Sequence, residues 1–375
     1  MGWIEGKLLE KGLEDPRFFR RVVRRLAYLR AGGDPERVHE MALEALNKYV
    51  DIASGSHYVL GADLRVNIAG SSIMPFGTAA GLDKNCDALE PLSYMAGFQE
   101  VGTIIVNPRK GNDRPRVAVD EKAGDLYNAQ GFPSKGLDYA ARKLMSYREH
   151  GGNAFILASI CGLPPGPDSI DVALDETRML LKGLDLFVDG FVWNPFSPNT
   201  AALTLLRKPR VFRQYAQLVK EKAGGRPALV KMGPYEEKDR QQWIDLAGGW
   251  MEGGGDGLVG VNTYMVPKES VPSRNWGYPS AGRSGRFLRP YRQRAIRDAR
   301  REFPDSLIIA TGGIDSAEEA WQAFDAGANL LEGYTPYTFH GLGLLPQMTS
   351  GVKGILRANR LGLQEYQDSI KSHYS

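Results

Sequence analysis

The sequence predicts a (β/α)8 TIM barrel, an α/β fold, carrying a helical extension at its N-terminus. Three observations lead there. From about residue 60 onward, short apolar runs alternate with longer stretches of helical periodicity, eight times over roughly 300 residues, the length of a typical barrel. No Gly-x-Gly-x-x-Gly opens a helix after the first run, so the usual mark of an open dinucleotide-binding sheet is missing. Polar clusters also recur directly after the runs, where a barrel gathers its functional groups.

The N-terminal fifty residues stand apart. Pro16–Arg30 sets Phe18, Phe19, Val22, Val23, Leu26 and Leu29 at helical spacing among Arg17, Arg20, Arg21, Arg24 and Arg25. Such a basic amphipathic helix suits an anionic membrane interface; it also fits a helix packed on its own domain with a solvated arginine face. After a Gly-Gly break, Asp34 is a good N-cap with Pro35 at the first helical position, and a second helix follows to Leu46. The pair predicts a helical hairpin whose apolar faces form a slot.

The barrel strands are expected at Met74–Ala80, Glu100–Ile105, Ala154–Ile160, Leu186–Trp193, Ala228–Met232, Gly257–Val261, Leu307–Ala310 and Asn329–Gly333. Helices are expected at Ser169–Lys182 and Pro209–Ala223, and another opens on the capping box Ser316-Ala-Glu-Glu319 and runs to about Phe324.

Composition narrows the function. A net charge of +3 argues against a nucleic-acid binder. Cys86 and Cys161 are far apart, and the five histidines show no HExxH spacing, so no metal site is expected. No run reaches the roughly 18 apolar residues of a membrane-spanning helix. The first residues carry too many acids for a transit peptide and lack a signal-peptide core. Localisation is therefore expected to be peripheral, on the cytoplasmic face of the cell membrane.

The strand ends are rich in binding groups. Strand one runs into Gly77-Thr-Ala-Ala80-Gly81-Leu-Asp83-Lys84, whose small residues let a flat ligand approach the backbone while Lys84 offers a cation. Strand two ends near Thr103, and the loop beyond it carries Asn128, Gln130, Gly131, Phe132 and Ser134. Strand four runs into Asn194-Pro-Phe-Ser197-Pro-Asn199-Thr200, two amides and two hydroxyls in a stiff turn. Lys231 lies inside an apolar run and needs an anionic or polar partner. Asn262 and Thr263 follow strand six. Gly312-Gly313, Tyr334-Thr335 and Ser284-Gly285 supply the glycines and hydroxyls of the phosphate cradle that a barrel builds after strands seven and eight. A flat, phosphate-bearing cofactor between two lysines and several amides points to flavin mononucleotide (FMN), with Lys231 facing its electron-rich edge.

Along nearly its whole length the chain resembles the dihydroorotate dehydrogenases, above all their quinone-dependent, membrane-associated class. The resemblance rests on Ala79-Ala-Gly-Leu-Asp-Lys84, Gly111-Asn-Asp-Arg-Pro-Arg116, Asn128-Ala-Gln-Gly-Phe132, Ser197-Pro-Asn-Thr200, Leu229-Val-Lys231, Asn262-Thr263, Ser284-Gly285, Gly312-Gly313, Tyr334-Thr335 and Asp34-Pro-Glu-Arg-Val-His39, in the family's order. It implies oxidation of dihydroorotate to orotate in pyrimidine biosynthesis, with FMN as cofactor and a membrane quinone as acceptor. Ser197 would be the general base, with Thr200 in its proton relay and Lys84 assisting. Lys84, Asn128, Gly131, Phe132, Asn194, Asn199, Asn262 and Thr263 would hold the substrate. Ala80, Gly81, Lys84, Thr103, Asn128, Asn194, Lys231, Ser284, Gly285, Gly312, Gly313, Tyr334 and Thr335 would hold the flavin. Residues 1–50 would form the membrane and quinone-access helices, with His39 near the slot, and residues 51–375 the flavin-binding barrel. The chain departs from the family at Phe196, Val119, Val261 and the strand-three end Ala158-Ser-Ile-Cys-Gly162. A related enzyme acting on another planar dihydropyrimidine, and a phosphate-binding barrel without redox chemistry, are the alternatives.

Overall fold

A computed structural model describes residues 2–55, 64–166, 169–197 and 200–374. Eight strands close into a barrel in chain order: β1 Phe76–Thr78, β2 Phe98–Ile104, β3 Phe155–Ile160, β4 Gly190–Trp193, β5 Ala228–Met232, β6 Gly257–Gly260, β7 Leu307–Thr311 and β8 Leu330–Gly333. Each strand runs parallel to its neighbours, and β8 returns to β1 through the register Leu331↔Phe76. The helices cover the outer face, so the strands are buried on both sides and read as continuous apolar runs.

Local chemistry sets the helices. Pro209–Ala223 starts with proline at its first position and stops at Gly224, whose φ of 60° suits glycine. Ile170–Leu184 buries Ala173, Leu174, Thr177, Leu180, Leu181 and Leu184, one stripe at helical spacing. Ser316 caps Ala317–Asp325 by accepting from Glu319 N. Strand four begins later than its apolar run suggests: Leu186 is 85% exposed, in the turn after the preceding helix.

Among the elements not anticipated, two border the functional cavities. The first is an antiparallel four-stranded sheet in the order Tyr264–Pro267, Ser280–Gly285, Asp125–Asn128, Val117–Asp120. It joins the loops after β2 and β6 over a small core of Tyr127, Val266, Val271, Trp276 and Ala281. The second is a further helix, Gly2–Glu14, ahead of the anticipated pair.

Pro16–Arg30 is helical with a π-helical turn at Phe19–Val23, and Asp34 caps Pro35–Lys48 by accepting from Glu36 N at 2.9 Å. The arginine face is smaller than its sequence implies. Arg17, Arg20, Arg21 and Arg25 are exposed, whereas Arg24 is buried, donating to Thr338 O, Glu121 and the Tyr28 hydroxyl. Position 24 faces the barrel, and Glu121 supplies the countercharge.

Two separated motifs meet here. Arg116 grips Glu36, Nη2 to Oε1 at 2.7 Å and Nε to Oε2 at 3.0 Å, both side chains below 10% exposed. Arg114 adds Glu36, Glu40 and Asp34. Removing one partner of such a buried pair costs about 3–5 kcal/mol, so Glu36 and Arg116 anchor the hairpin to the barrel mouth.

Candidate active site

One cavity opens at the carboxyl ends of the barrel strands, roofed in part by the antiparallel sheet. Around it stand Ala80, Gly81, Lys84, Thr103, Asn128, Gly131, Phe132, Asn194, Ser197, Lys231, Asn262, Thr263, Ser284, Gly285, Gly312, Gly313, Tyr334 and Thr335. Asn199 falls outside the described residues. Thr200 does not line the cavity; its Oγ1 is buried with no partner among the described residues. Sequence reading missed Val117 and Leu126, which come from the unanticipated sheet.

The amides order one another across strand ends. Asn262 Nδ2 donates to Asn194 Oδ1 at 3.0 Å, and Asn194 Nδ2 donates to Thr103 Oγ1 at 2.8 Å. Thr103 Oγ1 in turn lies 3.1 Å from Ser159 Oγ on β3. Ser159, at the departing strand-three end, thus completes a chain from β2 and β3 through the β4 and β6 ends. Asn128 Nδ2 donates to Gly282 O at 3.1 Å, which ties it to the roof. A network so connected fixes which edge of each amide faces a ligand.

Cations stand on two sides. Lys84 Nζ donates to Gly81 O at 3.1 Å and has no carboxylate within 4 Å among the described residues. Burial holds its pKa below the ordinary lysine value. A carboxylate entering the cavity would find it the nearest unpaired ammonium. Lys231 is different: Nζ donates to Glu100 Oε2 at 2.8 Å and Glu332 Oε1 at 3.0 Å, inside the barrel. Sequence reading required a partner for Lys231 without naming these acids. Their signal was an acid within or beside an apolar strand.

Ser197 stands on the β4 loop. Arg207 holds that loop from beneath, Nε to Pro195 O at 3.1 Å, with its guanidinium 4.7 Å from the Phe196 ring centroid. Phe196 packs on Phe212 and does not line the cavity, so this departure does not alter the pocket wall.

The far end fits a phosphate-bearing flat group. Ser284 Oγ lies 2.8 Å from Thr335 Oγ1, and Gly285, Gly312 and Gly313 all have positive φ. A Cβ on Gly313 would stand 2.8 Å from Gly285 O, whereas one on Gly81 would meet nothing and project into open space. Thr263, on the cavity wall, has its Oγ1 buried without a partner among the described residues, a polar group left for a ligand. These residues suit a flat group that carries a phosphate at one end.

A second cavity of about 350 Å³ lies between the N-terminal helices and the barrel mouth. Val117, Leu126 and Tyr334 line both cavities, and Val119 lines the second. His39 stands on the wall, Nε2 2.8 Å from Leu82 O; burial pushes its pKa down to about 3.

Comparison with known proteins agrees with this geometry. The family model "Dihydroorotate dehydrogenase" matches residues 63–356. A dihydroorotate dehydrogenase (quinone) of Chelativorans sp. (strain BNC1) is 32% identical over 354 residues, covering 90% of this chain and 93% of that protein. The one from Erythrobacter litoralis (strain HTCC2594) is 29% identical over 347 residues, covering 90% and 96%. Among solved structures, DHODH from Eimeria tenella in complex with ferulenol has a TM-score of 0.78 at 27% identity, covering 89% of this chain and 94% of that one. The closed parallel barrel, the strand-end cavity and the family match over most of the chain lead to one conclusion: this protein belongs to the dihydroorotate dehydrogenase family.

Proposed function

We propose that this protein oxidises dihydroorotate to orotate with bound FMN and passes the electrons to a membrane quinone. The observation that carries the reading is the convergence of Lys84, Asn128, Asn194, Asn262, Thr263 and Ser197 on one cavity whose other end is a glycine and hydroxyl cradle. A bound flavin supplies the hydride acceptor. The protein's own residues do the rest. Lys84 neutralises the substrate carboxylate, and the linked amides read the edges of the planar ring. Ser197 takes the C5 proton, a task for which a neutral hydroxyl needs a relay onward; Thr200, three residues along the same loop, is the hydroxyl proposed for it. Ser284, Gly285, Gly312, Gly313 and Thr335 hold the phosphate end, while Lys231 offsets negative charge at the ring end.

The acceptor reading rests on the second cavity. It is mostly apolar, lies between the N-terminal helices and the barrel mouth, and shares Tyr334, Val117 and Leu126 with the first as their common wall. The exposed arginines of Pro16–Arg30, beside the exposed Leu26 and Leu29, suit peripheral attachment to an anionic membrane, proposed here on its cytoplasmic face. No helix among the described residues is long and apolar enough to cross a membrane.

Identifying the released cofactor tests the reading. Denatured protein should yield a flavin with one phosphate, close to one per chain. A colourless protein that takes up no FMN would contradict it.

A further inference from the structure

The group around Lys231 holds one charge too many. Glu100 and Glu332 are fully buried and the Lys231 side chain is 7% exposed, with one ammonium bonded to both carboxyl groups. The remaining oxygens, Glu100 Oε1 and Glu332 Oε2, have no partner among the described residues. With both acids ionised the cluster would carry a net negative charge and two unsatisfied oxygens in the barrel interior. Two like charges sharing one buried site are resolved by protonating one of them. Among the described residues, the other titratable group facing Glu332 is Tyr337, whose hydroxyl is already donated to Gly77 O at 3.0 Å.

We propose that Glu332 is a neutral carboxylic acid sharing one proton with Glu100, so that the Glu100–Lys231–Glu332 cluster is electrically neutral. Glu332 is then a positioning residue. Its proton fills the gap between the two acids, and Lys231 is left to offset negative charge arriving in the cavity above. The direction of the titrations agrees. Burial, then the charge of Glu100, push Glu332 well above the carboxylate range. Burial opposes the charge on Lys231, but Glu100 and Glu332 outweigh it and raise its pKa. The consequence for hydride acceptance rests on the flavin reading; the shared proton does not.

Infrared spectroscopy of the full-length protein, isotopically labelled at the glutamate side-chain carboxyl carbon, reads that proton directly. The wild type should show an isotope-sensitive carboxylic-acid C=O band that persists from about pH 6 to about pH 9, where an ordinary glutamate is ionised. Glu332→Gln should remove the band. So should Glu100→Gln, although Glu332 remains, because a single acid left with Lys231 ionises; a merely structural Glu332 would not respond to that change. Absence of the band in the wild type, or its survival in either variant, overturns the proposal. The wild-type spectrum decides the matter even if a variant fails to fold. Flavin absorbance of the same samples keeps the two readings separate: the band without flavin contradicts only the cofactor, and flavin without the band contradicts only the shared proton.

Discussion

The ring of Tyr334 meets the imidazole of His39 edge to face, centroids 5.6 Å apart, in the wall between the two cavities. Tyr334 follows β8 and His39 lies on the helix Pro35–Lys48, so this contact joins barrel to extension. It brings the site assigned to substrate oxidation against the space assigned to the acceptor, so blocking one cavity should spare the other.

Ala27 lines the second cavity and not the first. Ala27→Trp should lower turnover with a short-chain quinone about tenfold or more, equivalent to about 1.4 kcal/mol. Flavin reduction by dihydroorotate in the same variant should change less than about twofold. Stopped-flow and steady-state assays separate the two, and equal losses in both would rule out an acceptor channel there.

Ser197→Ala should keep its flavin and bind orotate, because the amides and Lys84 are untouched. Reduction of the flavin by dihydroorotate should slow by a factor on the order of 10² or more, the usual cost of losing a general base. A normal reduction rate would remove Ser197 from that role.

His39 has its pKa lowered to about 3 by burial, from 6.5 in its ordinary state. Between those values the unfolded chain binds the extra proton, so this group makes stability rise with pH and fall on acidification from pH 6.5 towards about 3. Asp83, raised to about 6 by burial from 3.8, acts in the opposite direction across its own window. Comparing wild type with His39→Gln in urea cancels the Asp83 contribution. The variant should lose less stability on acidification, by up to about 1.4 kcal/mol per pH unit. Parallel curves would show that His39 is not kept neutral.

Arg17, Arg20, Arg21 and Arg25 face solvent beside Leu26 and Leu29. Replacing the four arginines by glutamine should weaken binding to anionic vesicles, at roughly 1 kcal/mol per charge near the surface. Wild-type binding should also fall as salt rises. Salt-independent binding, unchanged in the variant, would place membrane contact elsewhere.

The barrel was legible because parallel strands covered on both faces become short apolar runs, a pattern that survives without knowledge of neighbours. Helix starts were legible too: Asp34, Pro209 and Ser316 act within a few residues. The antiparallel sheet was not. Its strands are four to six residues long, and Ser280–Gly285, rich in glycine and serine, pairs with Asp125–Asn128 across more than 150 positions. Val117 and Leu126 were missed with it. Glu100 and Glu332 were missed because charge compensation inside a barrel depends on which strands adjoin. Arg24 was assigned to the wrong face, since helical spacing alone did not reveal Glu121 opposite it.

Anaerobic titration of the purified protein with dihydroorotate tests the central claim most directly. Bound flavin should bleach in proportion to added substrate until one equivalent per chain is consumed, and added quinone should restore its colour. A flavin-loaded protein whose spectrum dihydroorotate leaves unchanged would contradict it.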